Sequence, residues 1–172
     1  MREVEVKVLE VDRAHMVKQL TAMGAKQVFA GEVVTHSFKG LPEKIDTLRV
    51  RSEGNKHFLT VKTGRKQGFA KELEEISVGI ADVPSTLALL EQLGFHRKRD
   101  SRKRRISYRL GKVRFDFDQY LDDQSFVPEF VEIEAHNKAA LKRVLYRLNI
   151  PDSKALSWTG NDVAKHYRKQ KQ

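Results

Sequence analysis

The feature that most constrains this chain is a two-residue rhythm that pairs charges. Along an extended strand, residues i, i+2 and i+4 share a face. Glu3, Glu5 and Lys7 share one such face, as do Arg49 and Arg51, Glu72 and Glu74, Lys103 and Arg105, Asp116 and Asp118, and Glu132 and Glu134. Lys62 falls on the face of Phe58 and Thr60. The opposite faces are apolar, with Val4, Val6 and Val8 in the first run and Phe115, Phe117, Val131 and Ile133 in the last two. A sheet with one solvated face accounts for any single strand of this kind. It does not account for repeated same-sign pairs, which gain nothing on an open surface. A closed sheet with the charged face inward gives them a use.

The period-two runs predict strands over residues 2–9, 26–39, 46–53, 56–63, 69–78, 102–110, 112–120 and 129–136. Gly54-Asn55 and Gly111 mark hairpin turns between neighbouring runs. Helices are expected between the strands. Residues 12–23 open at the N-cap residue Asp12 and stop at Gly24, and residues 83–93 carry Leu87, Leu90 and Leu93 at helical spacing with Pro84 near the start. Residues 138–148 set Leu141, Leu145 and Leu148 on one face, and 161–170 form a polar last helix. The expected fold is α+β, an eight-stranded antiparallel barrel with flanking helices, in one domain spanning 1–172. The segment 40–45, with Gly40 and Pro42, is its candidate mobile loop.

Composition narrows the function. The 172 residues contain no cysteine, which removes disulfides and thiolate metal sites. There is no apolar leader and no run that approaches a membrane span, so a cytoplasmic protein without membrane attachment is expected. A net charge of +10 favours anionic partners. Two carboxylates in a Glu-x-Glu strand stand about 7 Å apart on one face. Two such pairs on different strands suit a hard divalent cation, Mg²⁺ or Mn²⁺. Arginine forks match phosphate oxygens in pairs, and lysine adds point charge.

Glu3-x-Glu5-x-Lys7 at the N-terminus resembles the signature of CYTH domains, within the triphosphate tunnel metalloenzyme superfamily. The resemblance continues in order through Thr47-Leu48-Arg49-Val50-Arg51, Leu59-Thr60-Val61-Lys62, Glu72-x-Glu74, Lys103-x-Arg105-x-x-Tyr108, Phe117-Asp118 and Glu132-Ile133-Glu134. It implies an eight-stranded antiparallel tunnel that binds a triphosphate-containing small molecule. It implies Glu3, Glu5, Asp118, Glu132 and Glu134 as metal ligands. Lys7, Arg49, Arg51, Lys62, Lys103 and Arg105 would grip phosphates. Glu3, Glu5 and Lys7 would act in catalysis, with Glu72 and Glu74 assisting the metal or positioning water. Asp116 shares a face with Asp118, and the pattern does not separate them.

Two stretches depart from the family pattern. Thr35-His36-Ser37-Phe38 stands where relatives carry an Asp-x-Tyr stretch, and residues 122–128 replace a glycine-rich turn before the last acidic strand. The activity expected is hydrolysis of a small triphosphate: inorganic tripolyphosphate, thiamine triphosphate or a nucleotide. The alternatives are a class IV-type adenylate cyclase and a non-catalytic module for polyphosphate or RNA 5′-triphosphate ends. The scattered histidines do not form a zinc motif, and Trp158 is read as packing the final helix on the barrel. In the basic run 97–105, Lys103 and Arg105 point inward and the rest outward. Setting the inward cations and carboxylates aside leaves the positive excess on the exterior, which keeps a nucleic-acid surface in view without favouring it.

Overall fold

A ring of backbone hydrogen bonds organises the structure. The computed structural model describes residues 2–67, 70–98 and 100–170. Its strands are β1 (Arg2–Val8), β2 (Lys26–Lys39), β3 (Thr47–Glu53), β4 (Lys56–Gln67), β5 (Ala70–Gly79), β6 (His96–Arg97), β7 (Ser101–Leu110), β8 (Val113–Tyr120) and β9 (Phe130–Ala135). They pair in the order β3-β4-β5-β1-β9-β8-β7-β2, and β2 returns to β3, so eight strands close a barrel. Each of these pairings is antiparallel. The two-residue β6 adds to the end of β2 and was not expected from its sequence. Gly68 and Phe69, where the expected fifth strand begins, and Arg99 of the basic run lie outside the described residues.

Two hairpin turns are set by glycines in the left-handed region, Gly54 at φ +59° and Gly111 at φ +57°. A side chain at these turns would meet strain that glycine avoids. Closure leaves no free edge among the eight strands and divides their residues into an inner and an outer face.

The helices cover the outer face. They are α1 (Arg13–Ala22), α2 (Val83–Gln92), α3 (Lys138–Arg147) and α4 (Gly160–Lys169), with a 3₁₀ turn at Asp152–Lys154. Side-chain oxygens of Asp12, Asp82, Asn137 and Thr159 accept from backbone N–H groups at the four helix starts. Leu141, Val144, Leu145 and Leu148 join Met16 and Leu20 of α1 against Val4, Val6, Phe115, Val131 and Ile133. This is the main core, and it lies outside the barrel. Each fully buried aliphatic side chain there contributes on the order of 1.5–3 kcal/mol. α2 covers less. Leu90 packs on Leu48, Val50 and Phe38, but Leu93, expected on the same apolar face, is 65% exposed because it caps the helix beyond the barrel wall. Trp158 packs with Val163, Tyr167, Tyr120 and Phe130, the role expected of it. Between α3 and α4 the chain touches β1 again. Lys7 and Leu156 exchange backbone hydrogen bonds of 2.8 and 2.9 Å.

Candidate functional site

With apolar packing assigned to the outside, the inner face receives the charges. Register fixes who meets whom. Across β1 and β9, Glu5 pairs with Glu134 and Lys7 with Glu132. Across β8 and β7, Asp118 pairs with Arg105. β2 adds Thr35 and Ser37 opposite Arg51 and Arg49. β4 places Thr60 and Lys62 opposite Arg49 and Thr47. All of these except Glu134 and Thr60 line a cavity of about 480 Å³. Glu3, Glu5, Lys7, Lys62, Lys71, Arg105, Asp116 and Asp118 are all buried, an uncommon state for charged groups.

Such burial is tolerable only where charges are paired. Lys62 Nζ lies 2.6 Å from Glu3 Oε2, 2.8 Å from Glu75 and 3.8 Å from Glu5. Burial and Arg49 push its pKa down, but these carboxylates outweigh them and leave it raised. Lys7 is paired with Glu132, and burial, which lowers its pKa, is overcome by Glu132 and Glu5. Glu132 is held well below the usual carboxylate range: burial opposes this, and Lys7, Arg105 and Lys103 prevail. Burial and Glu132 leave Glu5 raised. Asp118 is wholly buried. Its Oδ1 accepts from Arg105 Nε at 2.7 Å, and its Oδ2 accepts from Arg105 Nη2 at 2.6 Å and from Lys103.

Two cations are loosely partnered: Arg51 Nε lies 3.2 Å from Glu53 without hydrogen-bond geometry, and Arg49 Nη2 lies 3.8 Å from Glu75. The Nε groups of Arg49 and Arg51 are buried and make no hydrogen bond among the described residues. Burial, with Arg49 beside it, pushes Arg51 down to about 10. A buried, unsatisfied charged donor costs more than the roughly 1–3 kcal/mol of a neutral one. Both guanidinium groups lie on the cavity wall, and a guanidinium fork matches an anion with several oxygens.

Whether the carboxylates fit a divalent cation can be judged from Glu3 and Glu134. As the side chains stand, no three of the described carboxylates and histidines converge on one point, because lysines lie between them. Yet burial, with the Glu3 carboxylate beside it, pushes Glu134 up to about 8. Carboxyl groups crowded in this way repel each other's charge, and a hard cation between them would relieve that repulsion. Glu5 faces Glu134 across the strand pair, and Glu132 is the next inward residue. The all-oxygen donor set of β1 and β9 therefore fits Mg²⁺ or Mn²⁺.

The structure corrects one expected pair. Glu72 and Glu74 do not face the cavity. Glu72 lies outside, paired with Arg2 and Lys138, and Glu74 is exposed. Register is the cause: Lys71 pairs with Glu5, Leu73 with Glu3, and Glu75 with Lys62, so the inner residues of β5 are 71, 73 and 75. Lys71 and Glu75 are thus site residues that the Glu-x-Glu pattern concealed. Asp116 faces inward with Asp118. It accepts from Ser107 at 2.6 Å and Arg114 at 2.8 Å and pairs with Arg105. In the basic run, Lys103 and Arg105 point inward while Arg97, Arg102 and Arg104 are exposed. Lys98 is exposed too, on the rim of the cavity. Of the segment 35–38, Thr35 and Ser37 line the cavity, and His36 turns outward to Asp100 at 2.9 Å. No described helix is long and apolar enough to cross a membrane.

Comparison with known proteins agrees with this arrangement. A protein of Methanocaldococcus jannaschii, named provisionally as an adenylate cyclase, is 30% identical over 138 residues, covering 78% of this chain and 77% of its own. A solved protein of Pyrococcus horikoshii superposes with a TM-score of 0.78 at 23% identity, covering 94% of this chain and 98% of that one. A Hippeastrum protein, described as an adenylyl cyclase candidate with a dominant triphosphatase activity, superposes with a TM-score of 0.61 at 16% identity over 95% of each chain. The family model of the CYTH domain matches residues 1–146, and the chain belongs to that family.

Proposed function

We propose that this protein hydrolyses a small triphosphate with the aid of Mg²⁺ or Mn²⁺ inside the barrel. The observation that carries the reading is the pair of partly buried guanidinium groups, Arg49 and Arg51, whose Nε atoms make no hydrogen bond among the described residues and whose ion pairs to Glu75 and Glu53 are long, on the wall of a cavity that also holds Glu5, Asp118 and Glu132. In this reading Arg49, Arg51, Lys62, Lys103 and Arg105 hold phosphate oxygens, and Lys7 supports both walls. Glu3, Glu5, Glu132 and Glu134 hold the cation. When bound, the cation supplies further neutralisation of charge on the phosphoryl oxygens. Asp118, whose oxygens are filled by Arg105 and Lys103, acts as their anchor and not as a ligand. Glu72 and Glu74 have no part in the chemistry.

The reaction follows from placement. Guanidinium and ammonium groups fixed along the wall hold the phosphate chain straight and neutralise charge as it builds on the transferred phosphoryl group. A water held by a β1 or β9 glutamate attacks the terminal phosphorus. The bridging P–O bond breaks, its electron pair leaves with the diphosphate, and the proton of the water passes to the carboxylate.

Hydrolysis is favoured over cyclisation by the cavity lining. Its described aromatic side chains are Phe38, Tyr120 and Phe130, at 1%, 8% and 1% exposure, all committed to core clusters. None offers a face to a nucleobase. The Methanocaldococcus relative supports the second reading, a cyclase in which the ribose 3′-hydroxyl attacks the α-phosphorus. Phosphate release and cyclic AMP formation should be measured from tripolyphosphate, thiamine triphosphate and ATP, with Mg²⁺, with Mn²⁺ and with chelator. Metal-dependent phosphate release is expected, reduced at least about a hundredfold in the Glu3→Gln/Glu5→Gln variant, the size typical for loss of a preorganised electrostatic group. Cyclic AMP with diphosphate would install the cyclase instead. Binding without turnover of any of the three would leave a triphosphate-binding module.

A further inference from the structure

Lys71 differs from the other buried cations of the barrel in the origin of its counter-ion. It is the second residue of β5, beside the first residue of β3 (Thr47) and of β7 (Ser101). It is 6% exposed, faces Glu5 across the β1–β5 pair and lines the cavity. Lys62, Lys7, Lys103 and Arg105 are paired with carboxylates of neighbouring strands, which belong to the wall. Lys71 Nζ instead donates to Asp46 Oδ2 at 2.8 Å. Asp46 sits on the connection between β2 and β3, at the rim, and its side chain is 33% exposed. Its backbone N–H is fixed to the carbonyl of Lys62 at 2.9 Å and its Oδ2 also accepts from the Thr47 hydroxyl at 3.1 Å, so a ligand that displaces the carboxylate breaks two side-chain hydrogen bonds while the chain stays in place.

We propose that Lys71 is a specificity-determining residue, a phosphate-binding cation near the mouth of the barrel, and that the Asp46 carboxylate is a displaceable stand-in for the outer end of the substrate. This rests on the triphosphate reading of the cavity and deepens it. A terminal phosphate carries close to two negative charges at neutral pH and three acceptor oxygens, so it displaces one carboxylate from an ammonium. A phosphate esterified to a nucleoside carries one charge at that position and competes with Asp46 on even terms. The site thereby favours a phosphate chain that is fully charged at both ends, inorganic tripolyphosphate, over ATP.

The test is calorimetric binding of tripolyphosphate and of ATP to wild type, Lys71→Met, Asp46→Asn and the double variant, with kcat/KM measured alongside. Lys71→Met should weaken tripolyphosphate binding by about tenfold or more, the scale of one charge-assisted hydrogen bond, and ATP binding by less than about threefold. Asp46→Asn should tighten tripolyphosphate a few-fold, and the double variant should match Lys71→Met. Lys71→Arg keeps the charge and should keep the preference, which covers the case in which the methionine variant fails to fold. Equal losses for both ligands, or no gain from Asp46→Asn, would overturn the assignment. Wild type that binds tripolyphosphate with these variant effects, yet releases no phosphate, would sink the hydrolase reading and leave this one standing. Wild type that binds neither ligand sinks both.

Discussion

Lys62 and Lys103 are both lysines inside the same barrel, and their environments drive them in opposite directions. Lys62 stands among Glu3, Glu5 and Glu75, and its proton is held tightly despite burial. Lys103 is pushed down to about 8 by burial and then by Arg105, with Asp118 opposing. Below about pH 8 Lys103 is charged and available to phosphate; above it the charge is lost. The KM for tripolyphosphate should therefore rise as pH passes through about 8. Lys103→Arg should flatten that rise, because a guanidinium keeps its proton throughout the range. Steady-state kinetics from pH 6.5 to 9.5 would show a profile unchanged by the substitution if Lys103 does not touch the substrate. At this scale the sequence was legible wherever only one alternation of a strand is charged, as in Glu3-Val4-Glu5-Val6-Lys7, and the structure faces all three charges inward. It misled in Lys71-Glu72-Leu73-Glu74-Glu75, where both alternations carry charge. Pattern alone selects the glutamate pair there. The choice of face is made by register against β1 and β4, and by Arg2 and Lys138 waiting outside for Glu72.

Among the elements, α4 is the one whose start bears on the cavity. Thr159 and Asp162 satisfy each other's backbone N–H groups in a reciprocal cap, and Thr159, Gly160 and Asn161 line the mouth. Gly160 is a glycine for reasons of space: a Cβ there would stand 2.5 Å from the Tyr120 hydroxyl. Gly160→Ala should therefore displace either the Tyr120 ring or the first turn of α4. Thr159→Ala should cost about 1 kcal/mol through loss of the cap. In a chain of this size that lowers Tm by about 3 °C, and thermal unfolding would register the glycine variant as the more damaging of the two. If Gly160→Ala unfolds like wild type, the contact with Tyr120 is not tight. The helices themselves were readable because their caps are local chemistry, with Asp12 and Pro84 marking starts within a residue or two. The two-residue β6 was not, because it exists only through its pairing with β2.

For the whole molecule, charge is sorted by face. The inner residues pair acids with bases, so the net +10 is expressed mainly on the exterior. A positive exterior raises the encounter rate with polyanions, and salt screens it over about 8 Å at physiological ionic strength. The kcat/KM for tripolyphosphate should fall as salt is added while kcat stays nearly constant. A parallel fall in both would place the salt effect inside the barrel instead. Closure of the barrel was legible from the repeated inward charges, but strand order was not, since no local signal says that β1 lies between β5 and β9. That order has a consequence during synthesis. β1 leaves the ribosome well before residues 130–135, which supply its second neighbour, and before Leu156, which adds a further backbone partner. Glu5 waits for Glu134 through the synthesis of every strand between them, so a chain cut before β9 carries Glu3-x-Glu5-x-Lys7 without the carboxylates opposite it. Assembly of the acidic wall thus reports that the chain has been made at least as far as β9.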